Sequence, residues 1–121
     1  MYVGDLSSRR DFTDVRDIVR AYALLLESEV ETGIYNVSSE IPRKVEDILL
    51  NLISILVRDN NIQVDPNKFR HSEVPIFIGD SSKINNSVHW KQERDFYASL
   101  KETLDWWRAK IRGKTDFPWV F

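Results

Sequence analysis

The sequence contains no cysteine, which excludes disulfide frameworks, thiolate zinc sites and cysteine nucleophiles together. Its two histidines, His71 and His89, cannot build a metal site unaided, so no metal is expected. The lack of cysteine is also compatible with a reducing compartment, and we expect a cytoplasmic protein.

Glycine is scarce as well. The four glycines, Gly4, Gly33, Gly79 and Gly113, are all isolated from one another. A dinucleotide site needs a glycine-rich turn between a strand and a helix, because the pyrophosphate must approach the backbone there. We therefore expect no cofactor-binding residues in this chain.

No charge of one sign dominates, and no long apolar run is present. The formal net charge is −2 and no segment carries a long basic run, so nucleic acid is not expected as a partner. Residues 1–10 hold neither an export signal nor a stretch able to cross a bilayer, so no membrane is expected either. The chain starts with no structural element before a loop rich in serine and arginine, which we interpret as a sign of truncation.

What is present predicts one α/β domain. The chain has 121 residues, of which 42% are hydrophobic and 30% charged, as in soluble globular proteins. Apolar residues at steps of three and four predict three main helices that bury Ile18, Leu49 and Leu104. These helices cover residues 13–27, 45–56 and 96–112. A short helix is predicted at 80–84, stopped by the polar residues 85–87, and short extended segments at 34–37, 62–64 and 75–78.

The last long helix has a predicted buried stripe at helical spacing. It comprises Phe96, Leu100, Thr103, Leu104, Trp107 and Ile111. After it, residues 113–121 form a predicted irregular aromatic tail, since Pro118 disfavours a continued helix.

Four short strings stand in a defined order along the chain. They are RRDFTDVRDIVRAY at 9–22, IYNV at 34–37, RHSEVP at 70–75 followed by GDSSKI at 79–84, and TLDWWR at 103–108. The first three resemble segments of the extended short-chain dehydrogenase/reductases, the NAD-dependent epimerase/dehydratase family. The fourth resembles the end of the GDP-6-deoxy-mannose reductases, which are related to GDP-mannose 4,6-dehydratases. The resemblance covers about residues 4–112, less than half of a family member.

This resemblance implies the small substrate-binding lobe of such an enzyme, with short strands, three main helices and no Rossmann half. Residues 1–121 would form a single C-terminal domain that binds a nucleotide diphosphate sugar. NAD(P) belongs to the complete family enzyme, whose catalytic tyrosine and lysine lie upstream of the part represented here. The implied protein partner is a separate Rossmann-domain chain, or a second copy through self-association.

The resemblance also implies two substrate-binding residues, Arg10 and Arg70, which match the family arginines that contact the diphosphate. A guanidinium suits this role because its planar fork of donors matches phosphate oxygens and stays charged. Arg9 is not included, because alternation along an extended segment points it the other way. Asp14 and Asp17 are interpreted as helix caps or dipole-compensating residues.

Asp80 is interpreted as another cap.

Several positions depart from the family. His71 and Gln92 stand where proline is common, and His89 replaces a glycine before Trp90. Because glycine supplies positive φ at low cost, we expect the turn before Trp90 to be rebuilt.

Lys44 replaces a serine that caps the second helix in the family, and Ser38 and Ser39 lie in a stretch that is usually richer in glycine. Tyr97 and Lys101 match a Tyr-x-x-x-Lys pattern, but they lie far downstream of the family position, and no catalytic residue is assigned.

Three functions remain open on the sequence alone. The first is the GDP-sugar-binding part of an NAD(P)-dependent 4-keto-sugar reductase or dehydratase, not catalytic on its own, as a fragment or as one half of a split enzyme. The alternative is a non-catalytic binding or assembly module descended from such an enzyme. The third is an unrelated small α/β interaction domain.

Overall fold

The computed structural model describes residues 2–56, 61–68 and 74–113, and within them it is a small α/β structure, as predicted. The elements, in chain order, are β1 (Tyr2–Val3), β2 (Arg9–Asp11), α1 (Val15–Glu27), β3 (Pro42–Lys44), α2 (Val45–Ile55), β4 (Gln63–Val64), a 3₁₀ turn (Pro66–Lys68), β5 (Ile76–Phe77), α3 (Ser82–Val88) and α4 (Phe96–Ile111). The three long helices match their predicted positions closely.

The strands form two small sheets. In the larger sheet β2 is central, antiparallel to β3 and parallel to β5. The smaller sheet pairs β1 in parallel with β4, so the prediction that the chain starts without a structural element is wrong. The residue after β1 is Gly4. A larger residue would not fit there, because its Cβ would lie 2.5 Å from the carbonyl oxygen of Lys68.

The predicted strand at 34–37 is absent from the described sheets. Side chains from the α3 region meet its backbone instead. Lys83 Nζ donates to the Ile34 carbonyl at 3.1 Å. Directly after the segment, the amide of Ser38 donates to Ser81 Oγ at 2.9 Å. A β-prone composition alone does not make a strand, because a strand also needs a neighbouring strand to pair with.

Helix α3 runs farther than predicted, to Val88, because the residues expected to stop it are accommodated inside it. Ser87 Oγ, for example, donates to the Lys83 carbonyl at 2.9 Å. The helix ends at His89, whose φ of 53° lies in the left-handed region. The expectation of a rebuilt turn is therefore wrong: His89 adopts the conformation that glycine would favour, and Trp90 behind it is only 1% exposed.

The core lies between α1, α3 and the loop that follows α3. Ala21, Ile84 and Trp90 are fully buried at its centre. Packed around them are Leu24, Leu25, Tyr35, Val37 and Val88. The three residues predicted to be buried in the main helices, Ile18, Leu49 and Leu104, are only partly buried.

The predicted stripe on α4 is only partly correct. Phe96 is buried and Leu100 is half-buried, but Thr103, Trp107 and Ile111 are exposed. Helix α4 packs against α2. Periodicity identified apolar positions around α4, but which of them become buried depends on the neighbouring element.

Asp14 is the N-cap of α1, as predicted, and also connects α1 to α4. Its carboxylate accepts from the Arg16 amide at 2.8 Å, from the Arg16 guanidinium at 2.7 Å, and from the hydroxyl of Ser99 in α4. Hydrogen bonds from the Arg16 side chain hold the pKa of Asp14 well below its ordinary value; the Ser99 hydroxyl acts in the same direction, and partial burial opposes them. The interpretation of Asp80 as a cap is wrong, because the N-cap of α3 is Ser81; the Asp80 carboxylate lies one residue earlier and accepts from the amide of Ser82, the first residue of the helix, at 2.9 Å.

Asp17 has a larger role than the predicted cap. It is 2% exposed, and its carboxylate accepts from the backbone amides of Glu93 and Arg94 at 3.2 and 3.0 Å. Arg20 contacts the same carboxylate at 3.3 Å, and Trp90 Nε1 donates to the Asp17 carbonyl at 2.9 Å. The residue therefore fixes the loop after α3 against the first turn of α1.

Replacing Asp17 should destabilise the chain strongly. Asp17→Ala leaves two loop amides without their acceptor and removes one of the partners of Arg20, so we expect the free energy of unfolding to fall by about 2 to 4 kcal/mol. Urea denaturation measures this change. Glu93→Gln, which removes only the exposed Arg20–Glu93 ion pair, is the matched control and should change it by less than about 0.5 kcal/mol. A similar small effect of both substitutions would contradict the role given to Asp17.

The low pKa of Asp14 predicts a pH dependence of stability. A carboxylate whose pKa is lower in the folded than in the unfolded state stabilises the fold at pH values above its unfolded pKa, which is about 3.9 for aspartate. This stabilisation is lost as the pH falls toward the pKa of the folded state. Asp14→Asn should thus lower the free energy of unfolding by about 1 to 2 kcal/mol at pH 7. The difference from the wild type should shrink as pH falls below about 4.

Denaturation curves of both proteins between pH 7 and pH 3 measure this difference. Glu102→Gln is the control, because it removes the exposed partner of Arg16 and keeps Asp14. A difference between wild type and Asp14→Asn that is independent of pH would show that the charge of Asp14 is not what stabilises the cap.

Candidate functional site

Arg10 lies on the central strand of the larger sheet, in register with one residue on each side. Its partner in β3 is Arg43, and its partner in β5 is Phe77. Registered residues on neighbouring strands project from the same face of a sheet, so these three side chains share one face. Phe77 is 63% exposed, so this face is accessible at β5.

Arg10 is half-buried, and its guanidinium donates to the carbonyl of Arg9 at 2.8 Å. Arg9 is registered with Lys44 and Ile76, so it belongs to the opposite face, as predicted from the alternation. The sheet thus separates the two consecutive arginines, and only Arg10 lies on the face of Phe77.

Asp11 fixes the loop next to Arg10. One carboxylate oxygen accepts from the amide and hydroxyl of Ser39 at 2.9 and 2.6 Å, and the other from the amide of Glu40 at 2.8 Å. Glu40 has a φ of 60°, and its own carboxylate accepts from the Ser81 amide at 2.7 Å. A loop that is richer in glycine in the family is therefore held here by side-chain hydrogen bonds, with a left-handed residue at Glu40.

Arg70, the second predicted diphosphate ligand, lies outside the described residues, as does His71. The chain after it is described: the carbonyl of Pro75 accepts from the Arg9 amide at 2.8 Å, and β5 follows beside β2. The string that contains Arg70 therefore continues directly into the neighbour of the Arg10 strand. Whether both guanidinium groups contact one ligand remains a prediction.

Arg43 was not identified from the sequence. Its guanidinium carbon lies 4.1 Å from the centre of the Phe96 ring, and Phe96 in turn packs near Phe12 with 5.9 Å between ring centres. The missing signal was β3 itself, since the sequence predicts no strand at residues 42–44. Without that strand, the cross-strand pairing of Arg43 with Arg10 could not be foreseen.

The Tyr-x-x-x-Lys pattern of Tyr97 and Lys101 lies on α4. Tyr97 is half exposed, and Lys101 Nζ donates to Asp105 at 2.8 Å, toward the end of the helix and away from Tyr97. A catalytic pair needs both groups directed at one substrate atom. These contacts do not provide that arrangement.

Of the described helices, none has the length and apolar character needed to span a bilayer.

The chain was also compared with known proteins. A GDP-6-deoxy-D-mannose reductase of Pseudomonas aeruginosa is 31% identical over 110 residues, which cover 91% of this chain and 36% of that protein. GDP-mannose 4,6 dehydratase 2 of Arabidopsis thaliana is 29% identical over 108 residues, or 87% of this chain and 28% of that protein.

Among solved structures, RMD from Pseudomonas aeruginosa complexed with NADPH superimposes with a TM-score of 0.83 at 29% identity, again over 91% of this chain and 36% of that one. The chain thus spans about a third of the length of these relatives. The family model described as GDP-mannose 4,6 dehydratase matches residues 1–103. The resemblance to extended short-chain dehydrogenase/reductases is thereby confirmed, and the chain belongs to the GDP-mannose 4,6 dehydratase family.

Proposed function

We propose that residues 1–121 form a single domain that binds a GDP-linked sugar. This domain is the C-terminal part of an NAD(P)-dependent 4-keto-sugar reductase or dehydratase. Arg10 and Arg70 bind the diphosphate. The observation that carries the proposal is the pairing of β2 with β5, which joins the string containing Arg10 to the continuation of the string containing Arg70. The relatives named for GDP sugars support the choice of nucleotide.

The connection between the two arginine strings limits how far apart they can lie. Arg70 precedes Pro75 by five residues, and Pro75 is hydrogen-bonded to Arg9. Five residues span at most about 17 Å even when fully extended, and an arginine side chain adds several more ångströms of reach. This length of chain allows a diphosphate over the accessible face of β2 to reach both guanidinium groups, which supports the proposal.

The domain binds substrate and does not catalyse hydride transfer on its own. Hydride transfer needs a nicotinamide held against the substrate carbon and a proton donor at the carbonyl oxygen. The chain's isolated glycines supply no pyrophosphate turn, and Tyr97 and Lys101 are directed apart. In the complete enzyme, which we place in the cytoplasm, NAD(P) would be held by residues outside this chain.

The outer side of α1 is the proposed contact surface for a protein partner. The apolar residues Val15, Val19, Tyr22 and Leu26 follow one another at steps of four, three and four and are all exposed, Leu26 to 86%. Ala21 and Leu25 face the core from the same helix, so α1 is apolar on two sides. A helix with two apolar sides is normally covered on both, which fits a Rossmann domain, in the same polypeptide or in a separate chain, or a second copy.

This surface also favours the alternative function, a non-catalytic binding or assembly module of the same descent. The two functions differ in their ligand. A substrate domain binds GDP through Arg10, whereas an assembly module uses α1 and has no need of the nucleotide.

Titration with GDP tests the substrate-binding proposal. Two charge-assisted arginine contacts contribute about 2 to 5 kcal/mol before the entropy of capture is subtracted, so we expect dissociation constants in the millimolar range for the chain alone. Arg10→Ala and Arg70→Ala should each weaken binding about tenfold, when measured by NMR at low salt to limit screening. Arg9→Ala, on the opposite face of the same strand, is the matched control. Equal binding by all variants would remove the proposed site.

The outer side of α1 should drive self-association when no partner is present. We expect the wild type to form dimers or larger species as its concentration rises, and Val19→Glu/Leu26→Glu to remain monomeric, because a charge is costly to bury in an apolar contact. Sedimentation equilibrium measures this. Leu50→Glu, which alters an exposed leucine of α2, is the control and should associate like the wild type. A wild type that stays monomeric at high concentration would contradict the proposed surface.

A further inference from the structure

Two neighbouring strands of the larger sheet carry four cationic side chains in register. Arg9 faces Lys44, and Arg10 faces Arg43, across the antiparallel pair β2–β3. Like charges directly opposite each other on such a pair destabilise it. The arrangement is unexpected in a chain whose net charge is −2, and negative charge near the two strands, from the chain or from a ligand, would stabilise it.

On one face the compensation is part of the chain. Lys44 forms an ion pair with Glu46, and the hydrogen bond and charge of Glu46 raise the pKa of Lys44. Arg9 and Lys44 therefore share a face that already has a carboxylate.

On the other face Arg43 differs from Lys44. In the part of the chain that the structure describes, Arg43 forms no ion pair, and its guanidinium carbon lies 4.1 Å from the centre of the Phe96 ring. An aromatic ring attracts a guanidinium but does not neutralise its charge. Phe96 is largely buried, so the contact also holds Arg43 in place, and among residues 2–56, 61–68 and 74–113 no carboxylate forms an ion pair with it.

A guanidinium held against a ring keeps the N–H groups at its edge available as donors. In Arg43 one of these groups makes only a long contact, 3.4 Å, to the carbonyl of Ile41. Arg10 lies opposite on the same face, and Phe77 on the other side of Arg10 is 63% exposed, so solvent reaches this face at β5. The site therefore combines two cations, an ordered donor group and access from solvent, which together suit a dianionic ligand.

We propose that Arg43 is a further ligand-binding residue, which contacts the same diphosphate as Arg10 from the neighbouring strand. The inference rests on the proposed function, because it assigns Arg43 to the same substrate. It adds a binding residue on β3, so that the diphosphate is contacted from both strands of the β2–β3 pair. Recognition is of the diphosphate, so inorganic pyrophosphate and GDP should both detect it.

The test compares Arg43→Gln with Lys44→Gln in the whole chain. Each substitution removes one positive charge from β3, but from opposite faces of the sheet. Binding of pyrophosphate and of GDP is titrated by NMR at low salt, and the melting temperature of each variant is recorded to show that it is folded. We expect Arg43→Gln to bind both ligands about tenfold more weakly than the wild type, and Lys44→Gln to change binding less than about twofold. If Arg43→Gln does not fold, Arg43→Lys takes its place, because it keeps the positive charge but loses the planar fork of donors. We then expect Arg43→Lys to bind both ligands at least about threefold more weakly than the wild type.

The outcomes separate this inference from the proposed function. Weaker binding by Arg10→Ala together with wild-type binding by Arg43→Gln would overturn the role of Arg43 and leave the proposed function in place. Equal weakening by Arg43→Gln and Lys44→Gln would show a general effect of charge and would also overturn it. If the wild type binds neither pyrophosphate nor GDP, both proposals fail. Loss confined to GDP, with pyrophosphate unaffected, would place Arg43 away from the phosphates and count against it as well.

Discussion

The buried carboxylate of Asp17 connects the first turn of α1 to the loop after α3, and the position of the candidate site depends on this connection. The amides of Glu93 and Arg94 have it as their acceptor, and Trp90 is attached to the same turn through its indole nitrogen. Only three residues separate the end of β2 from the start of α1. Arg10 therefore lies on a strand whose exit is fixed by a helix that is itself fixed at Asp17.

Two more aspartates extend this arrangement at a spacing of three residues. Asp11 holds the loop at Ser39 and Glu40, and Asp14 holds α4 through Ser99. The string from residue 9 to residue 17 thus contains one carboxylate for each of three distant segments, and the arginine proposed for the diphosphate stands beside the first of them. A short motif of this kind has a structural function as well as a binding one, because the same backbone that presents Arg10 is held by its neighbours' side chains.

The sequence predicted the long helices well, because apolar residues repeat over three or four turns and the signal accumulates. Strands of two or three residues give no such repetition. The predicted segments at 62–64 and 75–78 contain β4 and β5, but β1, β2 and β3 were not predicted, and the strand predicted at 34–37 is absent from the described sheets. His89 was expected to change its turn, but the burial of Trp90 outweighs the cost of a left-handed histidine. Of the candidate site, Arg10 and the orientation of Arg9 followed from the motif and from alternation. Arg43 did not, because its importance arises only from a cross-strand pairing.

The contacts of the first helix also join the beginning of the chain to its end. Asp17 and Glu93 are 76 residues apart, and Asp14 and Ser99 are 85 apart. Closing loops of this length costs conformational entropy before the contacts form, so the folding of this chain is governed by non-local contacts and should be slow compared with a helical bundle of the same size. During synthesis, β2 and α1 leave the ribosome well before the residues that complete their hydrogen bonds. In that interval the core-facing side of α1 is uncovered, so this part of the nascent chain is exposed to aggregation and to chaperone binding.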